Sequence, residues 1–191
     1  MKYAEFFESI LDNNEEIVET FKPSHKRFVG LTILRNFLTS LIALVFPGIF
    51  VLIVVLDNDG NEITPIDYII PGAIALLIVL GFIFSVIARV VVYKKTYYCC
   101  TNKRIIIRRG FIGADYQTLD YDMIGGMDVE VNFSDKIIKP NTGTISFVTA
   151  ASPLLPKTGA SYFFAHIEDP YETYKRIKGY TSKNKDGKFN S

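Results

Sequence analysis

Two long stretches without a charged side chain constrain this sequence more than any other feature. Phe37 to Leu56 and Tyr68 to Ala88 each run for about twenty residues of nearly unbroken apolar character. At about 1.5 Å of rise per residue, a helix of that length spans about 30 Å, the thickness of a bilayer's hydrocarbon core. Buried helices of soluble proteins seldom run so long without charge, so each stretch predicts a transmembrane helix, over 37–56 and 68–88. Composition is less decisive. A chain with 49% hydrophobic and 21% charged residues can also be soluble, and it is the segregation of the two classes that matters. A cleaved signal sequence fits poorly, because the first stretch starts late, runs long and is not followed by a small-x-small site.

Charge outside the stretches sets an expected orientation. The connecting segment 57–67 holds Asp57, Asp59, Glu62 and Asp67 and neither Lys nor Arg. Lys22, Lys26, Arg27 and Arg35 precede the first stretch, and Arg89, Lys94, Lys95, Lys103, Arg104, Arg108 and Arg109 follow the second. Basic residues are retained on the cytoplasmic side. The sequence therefore predicts a multi-pass protein of the cell membrane, with both termini cytoplasmic and the acidic loop 57–67 outside. Neither span has an ionisable group at its centre, and Arg35 and Arg89 lie at the ends, where long basic side chains reach the headgroups. That favours an anchor over a pump. Each span contains a Pro-Gly pair; Pro47-Gly48 lies mid-span and predicts a kink, while Pro71-Gly72 falls in a first helical turn.

Residues 1–36 read as a cytosolic N-terminal segment. Tyr3, Phe6, Phe7, Ile10 and Leu11 fall at helical spacing, Asn13-Asn14 breaks the pattern, and Glu16 to Phe21 reads as a short strand or extended stretch. The polar side of the first part is acidic, which suits anionic lipid poorly. It is expected to pack on the cytosolic domain.

That domain, residues 89–180, has a β pattern. Met127, Val129, Val131 and Phe133 alternate with polar residues, as do Ile145, Phe147 and Thr149. Val90 to Cys100 and Arg104 to Arg109 are rich in β-branched residues, and Ser161 to Ile167 reads as the last strand. Gly110, Gly113, Gly125-Gly126 and Asn141-Thr142-Gly143 mark turns or bulges. About seven strands in some eighty residues imply a small antiparallel barrel or sandwich. Asp169-Pro170-Tyr171-Glu172 then has the form of a helix start, a capping box with Pro at the first position. Gly179 is the expected stop, followed by a basic, disordered tail over 181–191.

In this order the motifs resemble the bacterial pleckstrin-homology-like domains that follow a pair of membrane helices. The resemblance rests on Tyr98, Thr101, Asn102, Lys103 and Arg104 leading into Ile105-Ile106-Ile107 and Gly110. It continues in Met123-Ile124, Val129 and Val131, Gly143-Thr144-Ile145 and Ile167-Glu168-Asp169-Pro170. Glu15-Glu16-Ile17 to His25 looks like the family's lead-in. Asn132-Phe133-Ser134-Asp135 departs from the Gln-Ser pair common there. The resemblance implies a membrane helical hairpin plus a mainly β domain, a seven-stranded antiparallel barrel capped by one C-terminal helix. It implies no reaction.

The residues carry no P-loop, Gly-x-Ser-x-Gly, HExxH or dinucleotide fingerprint. His25 and His166 are far apart, and the adjacent Cys99 and Cys100 read as reduced thiols in apolar space, since neighbours on a strand point to opposite faces. We therefore expect no enzyme, no cofactor and no metal site, and no nucleic-acid partner. The candidate contact site is electrostatic: Lys94, Lys95, Lys103, Arg104, Arg108 and Arg109, on the first two strands and their turn. Eukaryotic pleckstrin-homology domains bind anionic headgroups there, although these charges also serve the positive-inside rule. The expected function is a membrane-anchored interaction module at the cytoplasmic face, binding a protein partner or its own copies. The alternatives are anionic headgroup binding, or an accessory part of a transport or export complex that uses the small residues and kinks of the spans.

Overall fold

A computed structural model of the chain describes residues 3–56, 64–131, 141–149, 162–185 and 187. The chain divides into one unit of residues 29–90 and another made of residues 1–28 and 91–191.

The first unit is a helical hairpin. A π-helical turn over Lys26–Gly30 runs into α1 (Leu31–Leu56), and α2 spans Ile66–Lys95. Both helices are long and apolar enough to cross a membrane, and only 6% and 0% of their apolar windows are buried within the chain. A core helix of a soluble protein would bury most of that surface. The two helices are joined by a polar clasp: Asn36 Nδ2 donates to Ser85 Oγ at 2.9 Å, and Ser85 Oγ donates to the Phe82 carbonyl at 2.7 Å. Pro47 and Pro71 both line an apolar hollow of about 220 Å³, with Phe46, Phe50, Ile70 and Ile74.

Both helices outrun their apolar stretches. Val90 to Lys95, expected to open a strand, instead continues α2. β-branched residues lower helix propensity only slightly, too little to stop a helix whose costly nucleation is long past. Thr96 ends it, its amide donating to the Tyr93 carbonyl at 3.2 Å and its hydroxyl to the Val92 carbonyl at 2.7 Å.

The second unit has two antiparallel sheets. The first has the order β1 (Ile17–Phe21), β2 (Tyr97–Thr101), β3 (Arg104–Arg109), β4 (Asp115–Asp120); the second has the order β5 (Ile124–Glu130), β6 (Thr142–Thr149), β7 (Tyr162–Glu168). The strands of the barrel were expected within 89–180, and β1 lies within Glu16 to Phe21, which reads as a short strand or extended stretch before the helices, yet it joins the sheet: Phe21 stands opposite Tyr98 and Thr20 opposite Cys99. The domain is thus discontinuous, with the helical hairpin inserted between its first two strands. Gly125-Gly126 makes the expected irregularity, a register shift between Ile124 and Gly126.

β2 and the centre of β3 are buried on both faces. On one face Tyr98, Cys100, Ile105, Ile107 and Leu119 share a core with Ile145, Phe147, Phe164 and Ile167 of the other sheet and Ile177 of the C-terminal helix. Tyr98 stacks on Phe164 at 4.6 Å, and its hydroxyl accepts the Ala165 amide at 3.0 Å. On the other face Tyr97, Cys99 and Ile106 are covered by Phe7, with Tyr3, Phe6 and Ile10 around it. The N-terminal segment packs on the domain, as its acidic side suggested, but as two 3-10 turns, Ala4–Phe6 and Glu8–Ile10. Each cysteine serves its own face; both are free and buried.

The C-terminal helix α3 spans Pro170–Lys185. It does not stop at Gly179, and residues 181–185, expected in a disordered tail, are helical. Tertiary partners carry it onward: Tyr180 donates to Glu19 Oε2 at 3.0 Å, and Asn184 Nδ2 to the Asn102 carbonyl at 2.7 Å. The capping box is not formed as expected. The Asp169 carboxylate takes the Asn141 side-chain amide, and Glu172 pairs with Lys175 at 2.9 Å. Most of the acidic loop, the Asn132–Asp135 departure, Ser161 and the last residues of the tail lie outside the described residues.

Candidate functional site

The six basic candidates do not form one cluster. β2 and β3 are antiparallel with Tyr97 opposite Arg108 and Cys100 opposite Ile105. Lys94, Lys95, Arg108 and Arg109 therefore stand at the end of the sheet where α2 arrives. Lys103 and Arg104 stand at the other end, about 15–20 Å away at about 3.3 Å per residue.

The far pair is bound to the N-terminal segment. Arg104 meets Glu15 through Nε to Oε1 at 3.0 Å and Nη2 to Oε2 at 2.8 Å, reaches Asp12 at 3.3 Å, and donates to the Ile10 carbonyl at 3.1 Å. Lys103 Nζ donates to the Asn13 carbonyl at 3.0 Å. The Glu15 side chain is fully enclosed. Burial pushes its pKa up, but hydrogen bonds from Arg104, the Asp12 amide and Thr101 outweigh it and hold the carboxyl below its ordinary value. The hydrogen bond to Glu15 raises Arg104 in turn. A bidentate guanidinium–carboxylate pair of this kind is geometrically demanding, and it leaves Arg104 little capacity for an external anion.

The near group is arranged differently. Lys95 Nζ donates to the carbonyls of Phe111 and Ile112 at 3.0 and 2.8 Å, tying the end of α2 to the β3–β4 turn. Arg108 lies over the Phe6 ring at 4.7 Å, with Tyr97 and Tyr116 at 5.7 and 5.9 Å. Arg109 points to the opposite face, over the Phe163 ring at 4.4 Å and donating to Gln117 at 2.9 Å, and burial lowers its pKa. Lys94 is exposed. A further cation, Lys22, stands against Tyr97 at 4.6 Å, Tyr93 at 4.8 Å and Tyr3 at 5.6 Å. Sequence reasoning had it only as a topology charge, since nothing local announces that three tyrosines from distant segments converge on it.

A second feature lies in the other sheet. β5 is an edge strand. Beside it runs a groove of about 430 Å³, lined by Ile124, Gly125, Gly126 and Met127 on one side and Tyr174, Lys178, Thr181 and Ser182 of α3 on the other. An edge strand with a helix alongside is a form that accepts an added strand, here beyond the irregularity at Ile124–Gly126, which interrupts pairing locally. Among the described residues no group of three or more His, Cys, Asp or Glu side chains is placed to hold a metal ion.

The family model of the bacterial PH domain matches residues 29–181. The chain belongs to the bacterial PH domain family. The matched residues take in both apolar helices, six of the seven strands among the described residues and most of α3. They begin after β1, so this bacterial PH domain protein completes its first sheet with a strand from outside the matched region. No curated protein and no solved structure matches the chain.

Proposed function

We propose that this bacterial PH domain protein is a membrane-anchored, non-catalytic interaction module. Its two apolar helices cross the cell membrane with both termini in the cytoplasm. Its seven strands form a PH-like barrel capped by α3, which binds an extended segment of a protein partner or of a second copy. The observation that carries this reading is the β5 edge beside α3: β5 is the outer strand of its sheet and lines a groove with that helix. The basic side chains, by contrast, are mostly engaged inside the chain. Headgroup binding through all six together is disfavoured because Lys103 and Arg104 are held by the N-terminal segment, a strand length from the rest.

The test is cross-linking in intact membranes, then purification in mild detergent and mass spectrometry of what is attached. A discrete partner or self-oligomer whose cross-links map to β5 and α3 supports the module. A monomer carrying only anionic lipid overturns it in favour of the headgroup reading. The orientation is checked with Asn61→Cys, which an impermeant maleimide should label from outside intact cells.

A further inference from the structure

The β3–β4 turn carries two large apolar side chains at its tip. Ile112 is 89% exposed and Phe111 42% exposed. The turn around them is built tightly: a Cβ on Gly110 would collide with the Gly113 carbonyl. Lys95 holds the tip from beneath by its two carbonyls, at 3.0 and 2.8 Å. Such a turn presents Phe111 and Ile112 on a braced backbone, and burying their exposed apolar surface is favourable.

Lys95 is also the last residue of α2, a helix of 30 residues. At about 1.5 Å per residue that helix is about 45 Å long, the full thickness of a bilayer with its headgroups. If α2 crosses the membrane, Lys94 and Lys95 lie in the headgroup layer, and the turn fastened to Lys95 lies there too. The local charge agrees with this placement. From Arg89 to Ala114 the sequence has seven Lys and Arg residues and no Asp or Glu. Exposed apolar tips flanked by basic side chains partition to the boundary between headgroups and acyl chains, and each cation near an anionic leaflet adds to the attraction.

We propose that the β3–β4 turn is a membrane-interface wedge: Phe111 and Ile112 insert among the headgroups of the bilayer that α2 crosses, with the exposed Lys94 beside anionic lipid. The inference rests on the anchoring proposed above. It assigns the turn a purpose the anchor alone does not supply, which is to fix how the domain is presented at the surface.

The chain has no tryptophan, so single tryptophans report position without background. The experiment uses the full chain in liposomes of phosphatidylcholine and phosphatidylglycerol, with bromine either high or low on the acyl chains. Three variants are compared: Ile112→Trp, Leu77→Trp in α2, and Met123→Trp. Leu77 and Met123 are 68% and 58% exposed, and Met123 follows the far end of β4, since Asp120 pairs with Arg104. Quenching of Ile112→Trp by shallow bromine, several-fold stronger than for Met123→Trp, is the expected result. Deep bromine should quench Leu77→Trp. If Leu77→Trp is quenched while Ile112→Trp behaves like Met123→Trp, the wedge is wrong and the anchor stands. An Ile112→Trp emission that is blue-shifted yet unquenched means the tip contacts protein, which also overturns the wedge. If Leu77→Trp is unquenched, anchoring fails and the wedge with it.

Discussion

Arg104 and Glu15 are 89 residues apart in the chain and joined by two short contacts at 3.0 and 2.8 Å. The pair fastens the segment before α1 to the strands after α2, next to the β1–β2 ladder. The chain thereby closes its domain across the helical insertion. The cost of removing one partner should exceed that of removing both. Arg104→Met leaves a buried carboxylate unpaired and should cost about 3–5 kcal/mol. Combining it with Glu15→Met should recover much of that loss. Denaturant titration in detergent on the two single variants and the double variant checks the coupling.

The same pair sets an acid limit. Glu15 has a folded pKa below its ordinary 4.5. A depressed carboxyl stabilises the fold fully above the unfolded value and loses that contribution as pH falls through the folded one. Stability should hold near neutrality and fall below about pH 4.5. Glu15→Gln should flatten that part of the profile while lowering the plateau. A profile unchanged by the substitution would mean that other groups govern the acid limb.

Phe7 is fully buried over Cys99. The Cys99 thiol is pushed up to about 12 by burial and then by the Glu15 charge, so it should resist alkylation. Phe7→Ala should cost about 3–5 kcal/mol and raise Cys99 labelling at least about tenfold, because an opening 1.4 kcal/mol cheaper is already ten times more populated. Cys100, in the core between the sheets, should stay slow. Peptide mass spectrometry after timed maleimide exposure separates the two neighbours.

Gly143 shows why one glycine of the Gly-Thr-Ile motif is required. A Cβ there would come within 2.9 Å of Pro170 Cγ and 3.0 Å of the Glu130 carbonyl. Gly143→Ala should destabilise by about 1–3 kcal/mol, the usual cost of overpacking. Adding Pro170→Ala should return part of it, which thermal melts of the three proteins would reveal.

Lys178 is exposed at the mouth of the groove between β5 and α3. On the proposed module, Lys178→Glu should leave the stability within about 0.5 kcal/mol of the parent, as surface changes generally do. It should also markedly reduce cross-linking to the partner or second copy. Unchanged cross-linking would move the contact to another surface.

Local pattern determined much of this protein. The absence of charge over 37–56 and 68–88 marked the helices, because length and apolarity are properties of contiguous residues. Alternation located most of β5 and β6, and it placed Cys99 and Cys100 on opposite faces, because the period of a strand is two. Family motifs identified the bacterial PH domain for the same reason: their order lies along the chain. What the tertiary structure decided depended on residues far apart. The β1 strand reads as extended from its own residues, but only its ladder to β2, across the whole helical insertion, makes it part of the sheet. α3 runs past Gly179 because Tyr180 and Asn184 find Glu19 and Asn102. The six basic residues looked like one patch because they are close in sequence. An antiparallel hairpin instead separates them by the length of its strands, and a distant acidic segment holds two of them, Arg104 by ion pairs and Lys103 by a hydrogen bond to the Asn13 carbonyl.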